Sequence, residues 1–217
     1  MKTARKTRTK TVGRIQRTAD KRAAILEGAA TVFLGGGYVG ASMDDIAELA
    51  GVSKQTVYVY FSSKQALFVA MVSALSKDAN NRVHGGVAEF RDGEDLESYL
   101  VGYALRQLQV VLTPRILQLR RLVIGEVGRF PELGAALYAD GPGRAIASLA
   151  TTFTRLAKRG ILSVRDPSLA ATQFNWLIMS APLNRAMLLG DGAIPSRKEL
   201  QDHASEAVRT FLAAYSK

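Results

Sequence analysis

Cysteine is absent from this 217-residue sequence, and histidine occurs only twice, at His84 and His203. Without thiols, the chain cannot form disulfides, sense redox state through cysteine or hold a metal with thiolates. The two histidines lie far apart in the sequence, which argues against a zinc or haem site. The sequence also lacks a paired nucleophile and base and a phosphate-binding loop. We therefore expect no metal, no cofactor and no catalytic residue.

Long apolar segments are also missing. No uninterrupted apolar run reaches the roughly 20 residues that a membrane-spanning helix needs. The N-terminus is basic, but the apolar segment of a secretory signal does not follow it. Hydrophobic residues make up 47% of the chain, which fits a globular protein of one or two domains. The sequence thus predicts a cytoplasmic protein with no membrane partner.

Positive charge is concentrated at the N-terminus. The net charge is +10, and residues 1–22 hold nine cations and one acid, which leaves +2 for the rest of the chain. Such a segment is disordered on its own and is a common form of nucleic-acid-binding arm, although it could instead be a solubilising extension. We predict a disordered basic arm over residues 1–20, with DNA contacts from Arg5, Lys6, Arg8, Lys10, Arg14 and Arg17.

The stretch from Ser42 to Phe61 reads SMDDIAELAGVSKQTVYVYF and is typical of two short helices joined by a tight turn. Ser42 is a good N-cap for the first helix, and Ser53 is a good N-cap for the second. Gly51 ends the first helix, because glycine tolerates the left-handed conformation that follows a C-cap. The apolar stripe of the first helix consists of Ile46, Leu49 and Ala50. This arrangement predicts a helix-turn-helix, whose second helix enters the DNA major groove.

The second helix has an apolar side and a polar side. Val57 points inward, with Phe61 beyond it. Glutamine can bond adenine, threonine can touch a base edge, lysine can reach guanine or phosphate, and tyrosine hydroxyls suit phosphate oxygens. An ordinary helical hairpin with a polar outer face would show the same pattern, so patterning alone leaves both interpretations open. The outward side chains are Lys54, Gln55, Thr56, Tyr58 and Tyr60.

This region resembles the signature of the TetR family of bacterial transcriptional regulators. The matching segments are DIA from Asp45, AGVS from Ala50, TVY from Thr56, YF from Tyr60 and SKQAL from Ser63. The family usually has glutamate where Gln65 stands and often has histidine where Tyr60 stands. The resemblance covers roughly residues 22–75 in motif detail, and beyond them it holds only as an all-helical outline.

The resemblance implies a homodimer that binds double-stranded DNA at a palindromic operator. It also implies a C-terminal domain that binds an effector, for which the apolar composition suggests a small apolar or amphipathic molecule. Lys54 is a candidate DNA contact through its own chemistry. Carried over position by position, the contacts that the resemblance implies are Ser42, Ser53, Gln55, Thr56, Tyr58, Tyr60 and Lys64.

Helical signals continue through the whole chain, and no segment shows the period-2 alternation of a strand. The fold class we predict is all-α, with a three-helix helix-turn-helix DNA-binding domain over residues 21–68. A C-terminal helical bundle for ligand binding and dimerisation follows over residues 69–217. The helices outside the helix-turn-helix are expected at about 21–34, 64–77, 94–112, 114–129, 131–138, 144–158, 166–189 and 197–215.

The last two predicted helices are apolar on more than one face, which favours a two-fold dimer. The interface candidates are Phe174, Leu177, Leu183, Leu200, Val208 and Phe211. Apolar and aromatic side chains between residues 94 and 189 could line an effector pocket, although a plain core needs the same residues. The pocket candidates are Tyr103, Leu119, Val123, Glu126, Phe153, Phe174, Trp176 and Met179.

Three functions fit these observations to different degrees. A dimeric, sequence-specific repressor that a small ligand releases from DNA needs no catalytic chemistry and fits best. A non-specific DNA-compacting protein would share the basic arm but would not need base-reading side chains. A small-molecule enzyme fits worst, because the sequence lacks the residue pairings that catalysis requires.

Overall fold

A computed structural model describes residues 2–85, 90–91 and 93–216, with side chains described from Thr18 onward. The predicted fold class is confirmed: the described residues form α-helices and no strand, with an N-terminal helix-turn-helix followed by a helical C-terminal region. The chain divides into two compact units, residues 1–74 and 75–217. The sequence analysis places this boundary six residues earlier, after residue 68.

The N-terminal unit contains helices α1 (Lys2–Gly40), α2 (Met43–Leu49) and α3 (Lys54–Tyr60), together with the first half of α4 (Lys64–His84). Helical dihedrals are interrupted at Gly37, which has φ 70°. Helix α1 packs on α2, and α2 packs on α3. The core between these helices is made of fully buried side chains that include Ile25, Phe33, Ile46, Val57, Leu67 and Phe68.

The turn between α2 and α3 depends on Gly51. This residue has φ 63°, a left-handed conformation that costs any residue with a Cβ about 1–2 kcal/mol. The Gly51 amide donates to the Glu48 carbonyl at 3.0 Å, and the Val52 amide donates to the Ala47 carbonyl at 3.0 Å. These two bonds form a Schellman motif, which satisfies the last carbonyls of α2 and turns the chain towards α3.

The approach of α1 to α2 depends on Gly28. A Cβ built on Gly28 would lie 3.1 Å from the Ile46 carbonyl oxygen and 3.4 Å from the Ala50 amide nitrogen. Both neighbours are backbone atoms of α2 or its C-cap, so they cannot rotate away as a side chain could. The absence of a side chain at Gly28 therefore sets the distance at which α1 supports the helix-turn-helix.

Two sequence predictions differ from the structure in this unit. Helix α1 begins at Lys2, so the segment 2–20, which we predicted to be a disordered arm, is helical here. This segment contains no proline and only one glycine, Gly13, so little in it stops a helix that starts downstream. In α2, Leu49 is 58% exposed, and Met43 and Ala47 join Ile46 on the buried side instead.

One helical stretch, Thr18–Gly40, is long and apolar enough by composition to cross a bilayer, which the sequence analysis did not expect. The core helix of a soluble protein passes the same test, so a single such stretch is weak evidence for a membrane span. Its side chains Ile25, Ala29 and Phe33 are fully buried in the N-terminal core.

The C-terminal unit contains the second half of α4 and six further α-helices. Proline stands at the first position of α6 to α9, where its missing amide hydrogen costs nothing. Ser196 and Glu199 form a capping box at the start of α10. The helices are α5 (Leu96–Val111), α6 (Pro114–Glu126), α7 (Pro131–Asp140), α8 (Pro142–Lys158), α9 (Pro167–Leu189) and α10 (Arg197–Tyr215), with a short 3-10 helix at Asp191–Ala193.

Helix α9 is central to the packing of this unit. It packs on α5, α6, α8 and α10, and α10 also packs on α5. The middle of the core is a cluster of three fully buried phenylalanines, Phe153, Phe174 and Phe211, whose ring centroids lie 4.7–5.6 Å apart. Helix α9 contributes buried side chains from Ala170 to Ala186, and it also has exposed apolar side chains, Leu169, Trp176, Leu188 and Leu189.

Candidate nucleic-acid interface and effector cavity

The recognition helix α3 is held at its start and along its inner face. The Ser53 hydroxyl oxygen accepts from the Thr56 amide at 3.1 Å, which caps the helix. Val57 is fully buried, and Phe61, the C-cap residue, is 5% exposed. A helix of seven residues is marginal by itself, so these anchors fix both the position of α3 and the face that it turns outward.

The outward face of α3 carries the side chains that the sequence analysis assigned to DNA. Gln55 and Tyr58 are exposed, whereas Thr56 and Tyr60 are half-buried. The Thr56 hydroxyl lies 2.9 Å from the Ser53 hydroxyl, so these two groups already share a hydrogen bond in the free protein. Gln55 therefore offers an exposed amide for a base edge, while Ser53 and Thr56 also serve the cap.

Lys54 is paired with an acid of the preceding helix. Its Nζ donates to Asp44 Oδ2 at 2.8 Å, and both side chains are at least half exposed. The hydrogen bond and the negative charge of Asp44 raise the pKa of Lys54 above its usual value. This contact connects α2 to the first residue of α3, so Lys54 reaches a phosphate or a base only by exchanging its partner.

Ser42 and Lys64 flank the helix-turn-helix. The Ser42 hydroxyl caps α2 by accepting from the Asp45 amide at 3.0 Å. Lys64, in the first turn of α4, donates to the Val39 carbonyl at 3.4 Å and lies 4.7 Å from the centre of the Tyr38 ring. The structure thus places both residues beside the ends of short helices, where protein groups commonly meet phosphates.

The predicted arm contacts, Arg5, Lys6, Arg8, Lys10, Arg14 and Arg17, have side chains outside the described residues. The backbone of this segment belongs to α1. No side-chain geometry therefore bears on the arm, and its assignment to DNA rests on its charge.

The C-terminal unit contains a cavity of about 50 Å³ between α4, α5, α6, α8 and α9. This volume is small beside the roughly 300–1,000 Å³ of typical ligand sites, so a larger ligand must displace side chains to fit. The walls are mostly apolar, with contributions from Val83, Ile116, Leu119, Met179 and Leu183.

Three of the eight predicted pocket residues, Leu119, Trp176 and Met179, line this cavity. Three of the other five, Tyr103, Phe153 and Phe174, belong to the packed core cluster instead. Val123 is buried outside the cavity lining, and Glu126, the last residue of α6, lies 3.7 Å from Arg129 in the turn that follows. The aromatic residues fill space that a ligand would need, because the three central phenylalanines pack on one another.

The sequence analysis missed the polar side of the cavity. Gln107 Nε2 donates to Asn175 Oδ1 at 2.7 Å, and both residues are buried. Four further polar atoms of cavity-lining residues are buried without a hydrogen-bond partner: Asn80 Oδ1, Gln107 Oε1, Asn175 Nδ2 and Arg120 Nε. Each such atom costs about 1–3 kcal/mol. From the sequence, Glu126 is the polar residue predicted to line the pocket, whereas the polar residues that line the cavity are Ser76, Asn80, Gln107, Arg120 and Asn175.

The predicted interface residues divide into two groups. Phe174, Leu200, Val208 and Phe211 are at most 5% exposed within one protomer, so they offer no surface to a second copy and the prediction is corrected for them. Leu177 and Leu183 are half-buried. The cause of the error is that α9 and α10 are more completely covered by their own protomer than their apolar composition suggested.

A different set of apolar side chains remains accessible on α9. Leu169 is 51% exposed and Trp176 is 46% exposed, while Leu183 and Met187 are half-buried. Their spacing of seven, seven and four residues places them on one side of the helix. We call these four residues the α9 stripe.

Comparison with family models identifies both parts of the chain. Residues 25–71 match the model described as "Bacterial regulatory proteins, tetR family". Residues 98–217, more than half of the chain, match "AefR-like transcriptional repressor, C-terminal domain".

Curated relatives match over about three-tenths of this chain. The chain is 42% identical over 66 residues to the HTH-type transcriptional activator FasR of Mycolicibacterium smegmatis, covering 30% of this chain and 29% of that protein. It is 44% identical over 64 residues to the HTH-type transcriptional regulator RutR of Escherichia coli, covering 29% and 30%. The chain thus spans about three-tenths of the length of these relatives.

Solved structures match over nearly the full length. A TetR-family transcriptional regulator from Mesorhizobium loti is 36% identical, with a TM-score of 0.87 and coverage of 93% of this chain and 99% of that one. The flavonoid-responsive regulator FrrA is 28% identical, with a TM-score of 0.75 and coverage of 90% and 97%. Taken with the two family models, these matches show that the chain belongs to the TetR family of bacterial transcriptional regulators.

Proposed function

We propose that the protein is a homodimeric repressor that binds a palindromic operator and is released by a small apolar or amphipathic effector. The observation that carries this proposal is the recognition helix α3, which is capped by Ser53, anchored by Val57 and exposes Gln55 and Tyr58. A polar face that is fixed in this way is suited to reading base edges.

Base and phosphate contacts divide between different groups in this proposal. The side-chain amide of Gln55 has an oxygen that can accept from adenine N6 and an NH2 that can donate to adenine N7, and Thr56 can touch a thymine methyl group. Ser42, Ser53, Tyr58, Tyr60 and Lys64 donate to phosphates and fix the register, and Lys54 joins them when it leaves Asp44. The cations of residues 1–20 add attraction that does not depend on sequence.

The second copy binds through the α9 stripe. Exposed apolar side chains on one helix face favour association, and Leu169 and Trp176 are the most exposed members of the stripe. A two-fold dimer would place two α3 helices about 34–36 Å apart, one turn of DNA, which is the spacing that a palindromic site requires.

We assign repression rather than activation of transcription, because the C-terminal family model is described as that of a transcriptional repressor. The effector binds the cavity between α4 and α9. In this proposal the protein acts in the cytoplasm and has no enzymatic role, since its relatives are transcriptional regulators.

The test is a selection of random duplexes followed by footprinting and fluorescence anisotropy on the selected site. Gln55→Ala should weaken operator binding by about 1–3 kcal/mol and leave binding to random DNA nearly unchanged. Gln109→Ala is the matched control, because Gln109 is an exposed glutamine on α5 in the other unit.

Two results would contradict the proposal. Equal losses on both kinds of DNA would remove the base-reading role of Gln55. An operator-to-random affinity ratio near one would instead favour a non-specific DNA-compacting protein, for which the basic arm alone would suffice.

A further inference from the structure

The formal charge among the described residues that line the cavity is positive. Of the residues that line it in the described part of the chain, Arg120 alone carries a formal charge, and no aspartate or glutamate is among them. No carboxylate in that part of the chain lies within ion-pair distance of Arg120. Its Nε is buried without a hydrogen-bond partner, and burial lowers the pKa of its guanidinium.

A second donor belongs to the same lining. Asn175 is 1% exposed and uses its Oδ1 to accept from Gln107 at 2.7 Å. Its Nδ2 is buried and has no acceptor. Buried polar groups are normally paired, but this mainly apolar wall holds two donors without acceptors, Arg120 Nε and Asn175 Nδ2, alongside two acceptors without donors, Asn80 Oδ1 and Gln107 Oε1.

We propose that this cavity binds an organic carboxylate, with the carboxylate accepting from Arg120 and Asn175 and an aliphatic body lying against Val83, Leu119 and Met179. The inference rests on the proposed role of the cavity as the effector site and specifies the chemical class of its ligand. A carboxylate neutralises one guanidinium and matches its planar donors. A phosphate dianion would leave an uncompensated negative charge in the apolar wall, and a neutral molecule would leave the guanidinium without a counterion.

The chain contains a built-in reporter for the experiment. Trp176 is the only tryptophan in the sequence and lines the cavity, so its fluorescence reports occupancy without a label. The probes are straight-chain carboxylates from butanoate to dodecanoate and the primary alcohols of the same chain lengths. Each series is titrated into the full-length protein, without DNA, at neutral pH.

At least one carboxylate should bind, and its alcohol should bind about tenfold or more weakly. Arg120→Gln should weaken the carboxylate by about 10- to 100-fold and leave the alcohol nearly unchanged. Arg120→Lys, which keeps the charge, should restore part of the affinity. Arg165→Gln is the matched control, since it removes an exposed arginine that does not line the cavity.

The thermal unfolding midpoint of each variant shows whether a loss of affinity comes from a damaged fold. Because Arg120→Gln removes an unpaired, half-buried charge, its thermal unfolding midpoint without ligand should equal or exceed that of the wild type. Equal affinity for acids and alcohols, loss of affinity in Arg120→Gln for both alike, or no binding by any carboxylate would overturn the inference. A carboxylate could bind in a way that depends on Arg120 and yet not release the protein from operator DNA. This result would support the carboxylate site and refute release by an effector, so failure of the inference and failure of the proposed function are distinguishable.

Discussion

Replacing Gly51 with alanine tests the turn that positions the recognition helix. Gly51 has φ 63°, and a Cβ added there meets no atom within 4 Å. The cost is therefore backbone strain without a steric clash, and we expect a loss of about 1–2 kcal/mol in the free energy of unfolding. Gly51→Asn should lose less, because asparagine tolerates the left-handed region better than alanine does.

Gly35→Ala is the matched control within the same unit. Gly35 lies in α1 without a positive φ, and its added Cβ also meets nothing within 4 Å. Alanine is favoured over glycine inside a helix by about 0.5–1 kcal/mol, so the same chemical change should stabilise the protein here. The two variants should therefore differ by about 2 kcal/mol, with opposite signs relative to the wild type.

Urea unfolding of the full-length chain, followed by far-ultraviolet circular dichroism, measures both variants. The same samples should be assayed for operator binding, so that the transition of the N-terminal unit is identified by the loss of DNA binding. If Gly51→Ala were as stable as Gly35→Ala, the left-handed turn between α2 and α3 would be refuted.

Three further predictions concern the arm, the α9 stripe and the half-buried His84. Deletion of residues 1–17 should weaken binding to operator and random DNA alike and flatten the dependence of affinity on salt; an unchanged salt slope, measured by anisotropy, would exclude the arm from the DNA. Leu169→Glu combined with Leu183→Glu should give monomers in sedimentation velocity, whereas Ile124→Glu, which changes an exposed side chain on α6, should remain dimeric. His84 has its pKa lowered, first by burial and then by the positive charges of Arg144 and Arg106. The unfolded chain therefore gains a proton that the folded chain resists, so stability should fall as the pH drops below about 6.5. His84→Gln should reduce this loss of stability, which is measured by thermal unfolding at neutral pH and at a pH of about 5. An equal loss of stability in both proteins would contradict the assignment to His84.

Helix boundaries were predictable from the sequence because local chemistry sets them. Ser42, Ser53 and Ser196 cap helices by accepting from an amide three residues later, and each was identifiable by its position before an apolar run. Proline at the start of α6 gave the same kind of signal. The inward direction of Val57 was also predicted, and Val57 is fully buried, whereas Val59, two residues later on the other side of α3, is 78% exposed.

The cavity and the dimer surface were harder to predict because they depend on contacts between distant segments. Helix α9 is apolar almost all round, so periodicity cannot tell that Phe174 is fully buried while Trp176 is 46% exposed. The hydrogen bond between Gln107 and Asn175 joins residues 68 positions apart. The exposure of Leu49 likewise depends on how α1 approaches α2 at Gly28.

The charges of the N-terminal unit, including the paired Asp44 and Lys54, determine how strongly its folded part attracts DNA. Between residues 21 and 74 the chain holds four cations and four acids, so this part of the N-terminal unit has no net charge. A protein segment without net charge exerts little long-range electrostatic attraction on DNA, which is a polyanion. It gains affinity only when it is in direct contact with the duplex. In the proposed function, the cations of the first 20 residues attract the duplex and α3 selects its sequence, so mutation could change the strength of DNA binding separately from the sequence preference.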